Sequence, residues 1–483
     1  MNYKKHLVSI LLILILLGAF TVRLYRFDNP IADWHSWRQS DTSAVSRNFV
    51  KHGFDLLHPR MDNISNVQSG VDNPHGYFFV EFPIYNTLQA GASILSPFLS
   101  IEEWGRLITI FASLGATAFL YLLVSRHSNK SIGLLAAFFY AFIPFDIYYG
   151  RTILPDTSMV MALLGGIYFF DKWITAHTFR YYLFALLFTA LAFLLKAHAI
   201  FFTLPFLYLS WKHFKWRLFT KWQLWVFAIF SLAPLIAWRI WMLQYPEGIP
   251  ANAWLFNGNG IRFRPSFFRW IFYERLTILI SGYFGVVLLL FGVIRLRKIK
   301  DFLFFVSFFL SSLIYLFTLA TGNVQHDYYQ ILIMPSVAML FAIGSYYLYH
   351  WSVRQIPIGR VLVIALIILS FFFSGQRVKE YFNINNPSMI AAGKAIDKLT
   401  PKDALIVANY VGDSSFLYQM NRQGWASLQD PLPILIKKGA DYLVLLDPGP
   451  KGVGFSKEYK AIASTPQYII FDLHQPLTSA EKK

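Results

Sequence analysis

The chain has 483 residues, of which 56% are hydrophobic and only 14% are charged, and it contains no cysteine. Soluble domains carry roughly 25% charged residues, so this composition excludes a soluble enzyme, a disordered scaffold and a fibrous repeat, while the lack of cysteine excludes disulfides and thiol catalysis. The formal net charge of +17 is typical of the basic cytoplasmic loops of a membrane protein, and no nucleic-acid partner is expected.

The first predicted element is an apolar helix over about 7–22. No small-x-small cleavage motif precedes Arg23, which favours an uncleaved signal anchor over the alternative, a secretory signal peptide. Further spans, each near the roughly 20 residues that a bilayer requires, bring the predicted total to about eleven: 105–124, 131–149, 157–175, 180–196, 198–211, 222–242, 276–294, 302–320, 329–349 and 361–375.

Basic residues fall in alternate loops between these spans. The loops assigned to the cytoplasm hold Arg126 and Lys130; Lys172 and Arg180; Lys212, Lys215, Arg217 and Lys221; Arg295, Arg297, Lys298 and Lys300; Arg354 and Arg360. The outer loop 321–327 has no Lys or Arg, and the outer loop 150–156 has only Arg151. Because Lys and Arg concentrate on the cytoplasmic side, this asymmetry predicts the orientation of the whole chain.

Two outer segments are too long to be simple connectors. The first, 26–104, contains a predicted helix from after Asp33 to about Lys51 and an apolar stretch over 84–99 that is typical of an interfacial helix. The second, 244–275, is rich in Gly, Pro, Trp and Arg, and loops of that length are lids, binding loops or disordered.

The composition changes after about residue 375, which predicts a membrane domain over 1–375 and a soluble domain over 376–483. Apolar runs that favour strands (404–410, 442–446, 468–473) alternate with helical stretches (387–399, 431–438, 456–464). This alternation indicates a small α/β domain with a largely parallel sheet. An odd number of spans places it outside. The predicted fold is therefore an all-α polytopic membrane protein with a small C-terminal α/β domain.

Two carboxylates stand out first. Asp41 shares a helical stripe with Trp37 and Ala44, and a carboxylate beside a membrane is costly unless it is paired or functional; an ion pair with Arg38 is the structural alternative. Asp156 follows Pro155, where it either favours the start of a helix or acts in a site. Arg151, on the same edge, either pairs with Asp156 or holds a phosphate.

Further charged and polar residues belong to the same predicted outer face. Each has a structural explanation, such as the helix dipole for Glu81, snorkelling for Lys196 and an aromatic belt for Tyr328. Acids and cations at one depth nevertheless match a group transfer from a phosphate-linked donor, in which a carboxylate removes a proton from the acceptor and cations stabilise the departing phosphate. The candidates are Asp41, Glu81, Arg151, Asp156, Lys196, Arg262, Arg264 and His326.

At these residues the sequence resembles the multi-spanning glycosyltransferases of the GT-C fold that use polyprenyl-phosphate sugars, and more narrowly the glycosyltransferase family 39 group, with its protein mannosyltransferases and aminoarabinose transferases. The resemblance lies in Asp41-Thr42, 81–84, Asp156, 270–275 and 326–329. It departs from the aminoarabinose transferase pattern at Phe82, where a Lys is expected, and at Arg275, where a His is expected.

The resemblance implies an inverting transfer in which Asp41 is the catalytic base and Asp156 and Glu81 orient hydroxyls. It implies that the donor phosphate is held by Arg38, Arg151, Lys196, Arg262 and Arg264, with His326 and Tyr328 in the same site. A divalent metal with Glu81 as a ligand is left open as a cofactor.

The predicted function is therefore transfer of a sugar from a polyprenyl-phosphate donor to a hydroxyl-bearing acceptor of the cell envelope, by a protein embedded in the lipids of the bacterial inner membrane with its site facing the periplasm. Two alternatives stay open. A transporter or flippase would place its ionisable groups near the bilayer midplane, and a non-catalytic anchor would only present the 376–483 domain.

Overall fold

A computed structural model describes residues 2–352 and 355–477 of the chain, so Arg354 lies outside the described residues. The described residues divide into two compact units. Those within 1–27, 106–239 and 252–381 form the first, here called the helical unit. Those within 28–105, 240–251 and 382–483 form the second, here called the mixed unit. The predicted domain boundary at residue 375 stays a prediction.

The α-helices of both units are numbered together. They are, in chain order, α1 (Asn2–Arg23), α2 (Ser36–His52), α3 (Ile84–Leu95), α4 (Ile101–His127), α5 (Lys130–Phe142), α6 (Pro144–Tyr149), α7 (Asp156–Ala176), α8 (Phe179–Leu195), α9 (Leu204–Phe214), α10 (Trp222–Met242), α11 (Trp254–Asn257), α12 (Pro265–Phe268), α13 (Gly285–Arg295), α14 (Phe302–Thr318), α15 (Ala320–Gln325), α16 (Met334–Tyr349), α17 (Ile358–Val378), α18 (Pro387–Leu399), α19 (Ser415–Met420), α20 (Leu432–Lys437) and α21 (Gly449–Ser456). Of these, α2, α3 and α18–α21 lie in the mixed unit.

Every predicted span coincides with helical structure, which confirms a mostly helical membrane protein. By length and composition, however, six helical stretches of the described residues are long and apolar enough to cross a bilayer, or seven if a pair bent by 114° counts as one span. This number is smaller than the eleven predicted spans because several of the helices at those positions are short or interrupted. The apolar helices α5, α8 and α14 have 13 to 17 residues, and the span predicted over 131–149 is divided between α5 and α6 at Ile143.

A break of the same kind separates α8 from the next helical segment. Lys196 has extended backbone angles (φ −165°, ψ 122°), and a 3₁₀ segment, Ala197–Phe202, leads from it into α9. Irregular backbone within a membrane-spanning region is tolerated where protein or a water-filled cavity surrounds it. The break therefore brings a cationic side chain into the interior of the helical unit.

The two long outer segments contain regular structure. The interfacial helix predicted over 84–99 is α3, which ends at Leu95. The segment predicted as an irregular loop over 244–275 contains α11, α12 and two 3₁₀ segments, Pro246–Gly248 and Gly258–Phe263. It continues into a π-helix, Arg269–Ile280. Short helices without a common periodicity explain why no single element was predicted there.

The mixed unit contains a five-stranded sheet in the order β2-β1-β3-β5-β4. Its strands are β1 (Ile406–Ala408), β2 (Gly424–Trp425), β3 (Tyr442–Leu446), β4 (Tyr459–Ser464) and β5 (Tyr468–Pro476). Alternate residues enter two apolar clusters, with Ile406 and Val444 in one and Val407 and Leu443 in the other. Because both faces are covered, the central strands are continuously apolar.

Two predictions for this sheet are wrong. The sheet is mixed rather than largely parallel, since β1 pairs in parallel with β2 and β3 but β5 is antiparallel to both β3 and β4. The helix predicted over 456–464 is in fact mostly the edge strand β4. Its polar and half-exposed side chains resemble a helical surface, and pairing with β5 overrides that local preference.

Candidate functional site

Helix α2 is polar in sequence yet buried in the structure. Twelve of its 17 residues are buried, and most of these carry hydroxyl, amide or charged groups. Buried polar groups require hydrogen-bond partners, and α2 finds many of them in the mixed unit; for example, Ser46 donates to the Gln89 Oε1 atom at 2.7 Å. A helix of this type fits a site more readily than a core that serves packing alone.

Asp41 lies in the middle of α2, with 1% of its surface exposed. Its Oδ1 atom accepts a hydrogen bond from the Ser414 hydroxyl at 2.6 Å, and its Oδ2 atom accepts one from the Gln68 amide at 3.1 Å. Burial raises the pKa of Asp41 to about 7, although the bonds from Ser414 and Gln68 and the charge of Arg38 act in the opposite direction. A carboxylate with a pKa near the operating pH is suited to general-base catalysis.

Arg38, one turn before Asp41, forms an ion pair with Glu81. Its Nη2 atom lies 2.7 Å from both carboxylate oxygens of Glu81, and its Nη1 atom donates to the Thr42 hydroxyl at 2.8 Å. In the described parts of the chain, no group of three or more His, Cys, Asp or Glu side chains is placed to hold a metal ion. Glu81 as a metal ligand stays a prediction.

In the helical unit, Asp156 and Lys196 form a buried ion pair. The Lys196 ammonium lies 2.7 Å from the Asp156 Oδ1 atom, and only 3% of Asp156 and 7% of Lys196 is exposed. The ammonium also lies 5.2 Å from the ring centroids of Tyr328 and Tyr329, within the range of a cation–π interaction. Asp156 is the first residue of α7, as predicted, but its side chain pairs with Lys196 as well as suiting the helix dipole.

The remaining candidates in the helical unit have varied surroundings. Arg151 is buried and donates to the Arg26 carbonyl at 2.7 Å. His326 stacks on Tyr328 with 5.5 Å between the ring centroids. Arg262 donates to the Thr318 carbonyl at 2.9 Å, whereas Arg264 is exposed.

The structure thus brings the candidates together in two groups. Asp41, Arg38 and Glu81 lie in the mixed unit, and Lys196 lies with Asp156 and Tyr328 in the helical unit. The two hydrogen-bond partners of Asp41, Gln68 and Ser414, were not predicted from the sequence. Asp327 is a buried carboxylate that accepts hydrogen bonds from the phenols of Tyr149 and Tyr381. It lies in the stretch 326–329 that carries part of the resemblance, but these two partners are distant in sequence and were not predicted.

Comparisons with known proteins address the class of molecule. Residues 91–241 match the family model described as dolichyl-phosphate-mannose-protein mannosyltransferase. A crystal structure of ArnT from Cupriavidus metallidurans in the apo state is 11% identical, with a TM-score of 0.66 over 97% of this chain and 98% of that chain. The same protein bound to undecaprenyl phosphate is 12% identical, with a TM-score of 0.63 over 98% and 99%.

A third similar structure is the archaeal oligosaccharyltransferase AglB from Archaeoglobus fulgidus, in complex with an inhibitory peptide and a dolichol-phosphate. It is 11% identical, with a TM-score of 0.61 over 100% of this chain and 77% of that chain. The search of the curated proteins found no match.

At this identity the solved structures show the fold alone, which is that of the GT-C glycosyltransferases. The resemblance read from the sequence is therefore confirmed. The family match over 91–241 adds the class of activity, since it indicates a glycosyltransferase. The chain is a multi-pass membrane protein.

Proposed function

We propose that this protein transfers a sugar from a polyprenyl-phosphate donor to a hydroxyl-bearing acceptor, with Asp41 as the general base. Asp41 takes the proton of the acceptor hydroxyl while the acceptor oxygen attacks the anomeric carbon of the sugar. The bond between that carbon and the phosphate oxygen breaks, and polyprenyl phosphate leaves. A single displacement of this kind inverts the anomeric centre.

The observation that carries this proposal is the environment of Asp41. The carboxylate is buried, each of its oxygens accepts one hydrogen bond, and its pKa is about 7. A fixed base that is substantially deprotonated near neutral pH accelerates proton transfer without the cost of reorienting at the moment of reaction. Because phosphate is a good leaving group, the proposal requires no strong general acid.

The other candidates receive roles that their side chains allow. Cations stabilise the charge that develops on the departing phosphate, which is the role proposed for Arg38, Arg151, Lys196, Arg262 and Arg264. Asp156 and Glu81 orient hydroxyl groups. An ammonium group has three donors, and Asp156 takes one of those of Lys196.

The lipid-linked donor is supported by what the similar proteins bind. ArnT was solved with undecaprenyl phosphate and AglB with a dolichol-phosphate and a peptide. The proposed orientation, with the site and the 376–483 region on the periplasmic face of a bacterial inner membrane, is supported by the alternation of basic loops.

The function is tested by reconstitution into liposomes with an undecaprenyl-phosphate sugar and a hydroxyl-bearing acceptor, followed by mass spectrometry of the products. The sugar and the acceptor are selected beforehand by comparing surface glycans and lipids of cells with and without this protein. We expect a sugar-modified acceptor and free undecaprenyl phosphate in equal amounts. Movement of the intact donor across the bilayer, with no cleavage of the sugar–phosphate bond, would contradict the proposal and favour a flippase.

The pH dependence of the transfer is expected to follow the ionisation of Asp41. Because the base must be deprotonated, kcat/KM should rise about tenfold per pH unit below pH 7 and level off above it, when a single group controls the rate. The direction of the change follows from the role of Asp41 as a base. If Asp41 were a general acid, kcat/KM would fall as the pH rises through its pKa. Initial rates between pH 5 and 9 measure it, and a rate that is flat between pH 5 and 7 would contradict the prediction.

A further inference from the structure

The two hydrogen-bond partners of Asp41 come from distant parts of the sequence. Gln68 belongs to the segment 26–104, and Ser414 follows Asp41 by 373 residues, in the segment that was predicted as a separate soluble domain. All three residues lie in the mixed unit. The Asp41 carboxylate therefore depends for its orientation on a hydroxyl from the sheet-bearing region.

The loop that carries Ser414 connects β1 to α19 and has an unusual backbone. Val411 has φ +53° and Gly412 has φ +83°, and a β-branched residue at positive φ is a genuine outlier. Val411 is 98% exposed, so packing of its side chain does not explain this conformation. Backbone hydrogen bonds hold the loop instead, from Gly412 to the Ala426 carbonyl at 3.0 Å and from Asp413 to the Tyr410 carbonyl at 2.9 Å.

Strained backbone persists where the surrounding structure determines it, and it is concentrated at functional sites. Here the turn at Val411 and Gly412 leads directly to Ser414, whose hydroxyl lies 2.6 Å from the Asp41 Oδ1 atom and 3.4 Å from the Trp37 carbonyl. The loop conformation therefore has an identifiable consequence, which is the placement of this hydroxyl against the carboxylate.

The groups that act on Asp41 come from three parts of the mixed unit. Arg38 lies on the same helix, Gln68 comes from the first outer segment, and Ser414 and Asp413 come from the loop after β1. Arg38, Gln68 and Ser414 stabilise the charged carboxylate, whereas burial and the negative charge of Asp413 destabilise it. The loop after β1 thus contributes one residue that stabilises the charged form of Asp41, Ser414, and one that destabilises it, Asp413.

We propose that Ser414 is a positioning residue of the transfer reaction, which together with Gln68 orients the Asp41 carboxylate toward the acceptor proton, and that the 376–483 region thereby forms part of the catalytic machinery. This inference rests on the proposed function of Asp41. It gives the region a task in catalysis, and Asp413 acts against Ser414 by favouring the protonated form of Asp41.

The test is the pH–rate profile of purified full-length variants. Ser414→Ala removes a hydrogen bond to the charged carboxylate, so the acid limb should move to higher pH. The ratio of kcat/KM at pH 6 to kcat/KM at pH 8.5 should then fall about 3- to 10-fold below the wild-type ratio. In the structure, the Ser415 backbone amide donates to the Asp413 Oδ1 atom at 2.7 Å. Asp413→Asn keeps an oxygen for this hydrogen bond but removes the negative charge, so the acid limb of this variant should move to lower pH. Ser414→Thr, which keeps the hydroxyl, should restore the wild-type limb.

Each outcome decides between explanations. Equal loss at every pH in Ser414→Ala, or limbs that move in the same direction in Ser414→Ala and Asp413→Asn, would overturn the positioning role while leaving Asp41 as the base. Wild-type turnover by Asp41→Asn would instead overturn the proposed function itself. If Ser414→Ala does not fold, Gln68→Met serves as the second variant, because it removes the other hydrogen-bond donor to Asp41. Its acid limb should also move to higher pH, and an unchanged limb in Gln68→Met would contradict the inference.

Discussion

The variant Asp41→Asn is expected to lose about 10²- to 10⁴-fold in turnover at pH 8, the range that general-base catalysis contributes. Asparagine has the same shape as aspartate but accepts no proton from the acceptor at this pH. Since Asp41 is buried among partners from its own unit, the substitution should leave the fold in place. Initial rates of sugar transfer at saturating donor measure the loss.

The same substitution is expected to leave the thermal unfolding temperature unchanged or to raise it. Burial raises the folded-state pKa of Asp41 from 3.8 to about 7, so the charged carboxylate opposes folding progressively as the pH rises through this range, with an upper limit on the order of 4 kcal/mol above pH 7. Asp55→Asn, which changes an exposed carboxylate of the same outer segment, is the matched control. It should alter neither the rate of sugar transfer nor the unfolding temperature. Undiminished transfer by Asp41→Asn would contradict the assignment.

A second large effect is expected from Lys196→Met. Removing one member of a buried ion pair leaves an uncompensated charge and costs about 3–5 kcal/mol, and here Asp156 would be the residue left behind in the helical unit. We therefore expect a lower unfolding temperature together with weaker use of the donor. Thermal unfolding in detergent and the KM for the polyprenyl-phosphate sugar measure the two effects separately.

The double variant Asp156→Asn, Lys196→Met separates structure from function. Replacing a buried ion pair by hydrophobic residues of similar volume is often close to neutral for stability. The double variant likewise removes the uncompensated charge, so the unfolding temperature should recover at least in part. If Lys196 holds the donor phosphate, the KM for the donor should stay raised in the double variant. Recovery of both stability and donor use would show that the pair serves the fold alone.

How far the sequence predicted the fold depends on where the decisive interactions lie. Helix α18 was predicted with its observed bounds, 387–399, because its apolar face and its capping Asn386 are local features. Strand β4 was predicted as a helix because its structure comes from pairing with β5, which no pattern within β4 encodes. The helical spans were found for the same reason as α18, but the breaks inside the spans predicted over 131–149 and 276–294 were not foreseen.

The candidate site shows the same division. Asp41 was proposed as a candidate from a helical stripe and a resemblance, since both depend on neighbouring residues, and its catalytic role stays a prediction. Its partner Ser414 was missed because a serine beside an aspartate in a polar loop is unremarkable until folding places it 2.6 Å from a carboxylate. Likewise, Arg151 was offered as the partner of Asp156, whereas the structure pairs Asp156 with Lys196, 40 residues farther along the chain.

The separation of 373 residues between Asp41 and Ser414 also bears on how the protein matures in the cell. Ribosomes add about 5–20 residues per second, so roughly 20 to 70 seconds pass between the synthesis of the carboxylate and that of the hydroxyl that orients it. With Ser414 as the proposed positioning residue, Asp41 acquires its full set of hydrogen-bond partners only when nearly all of the polypeptide has been made.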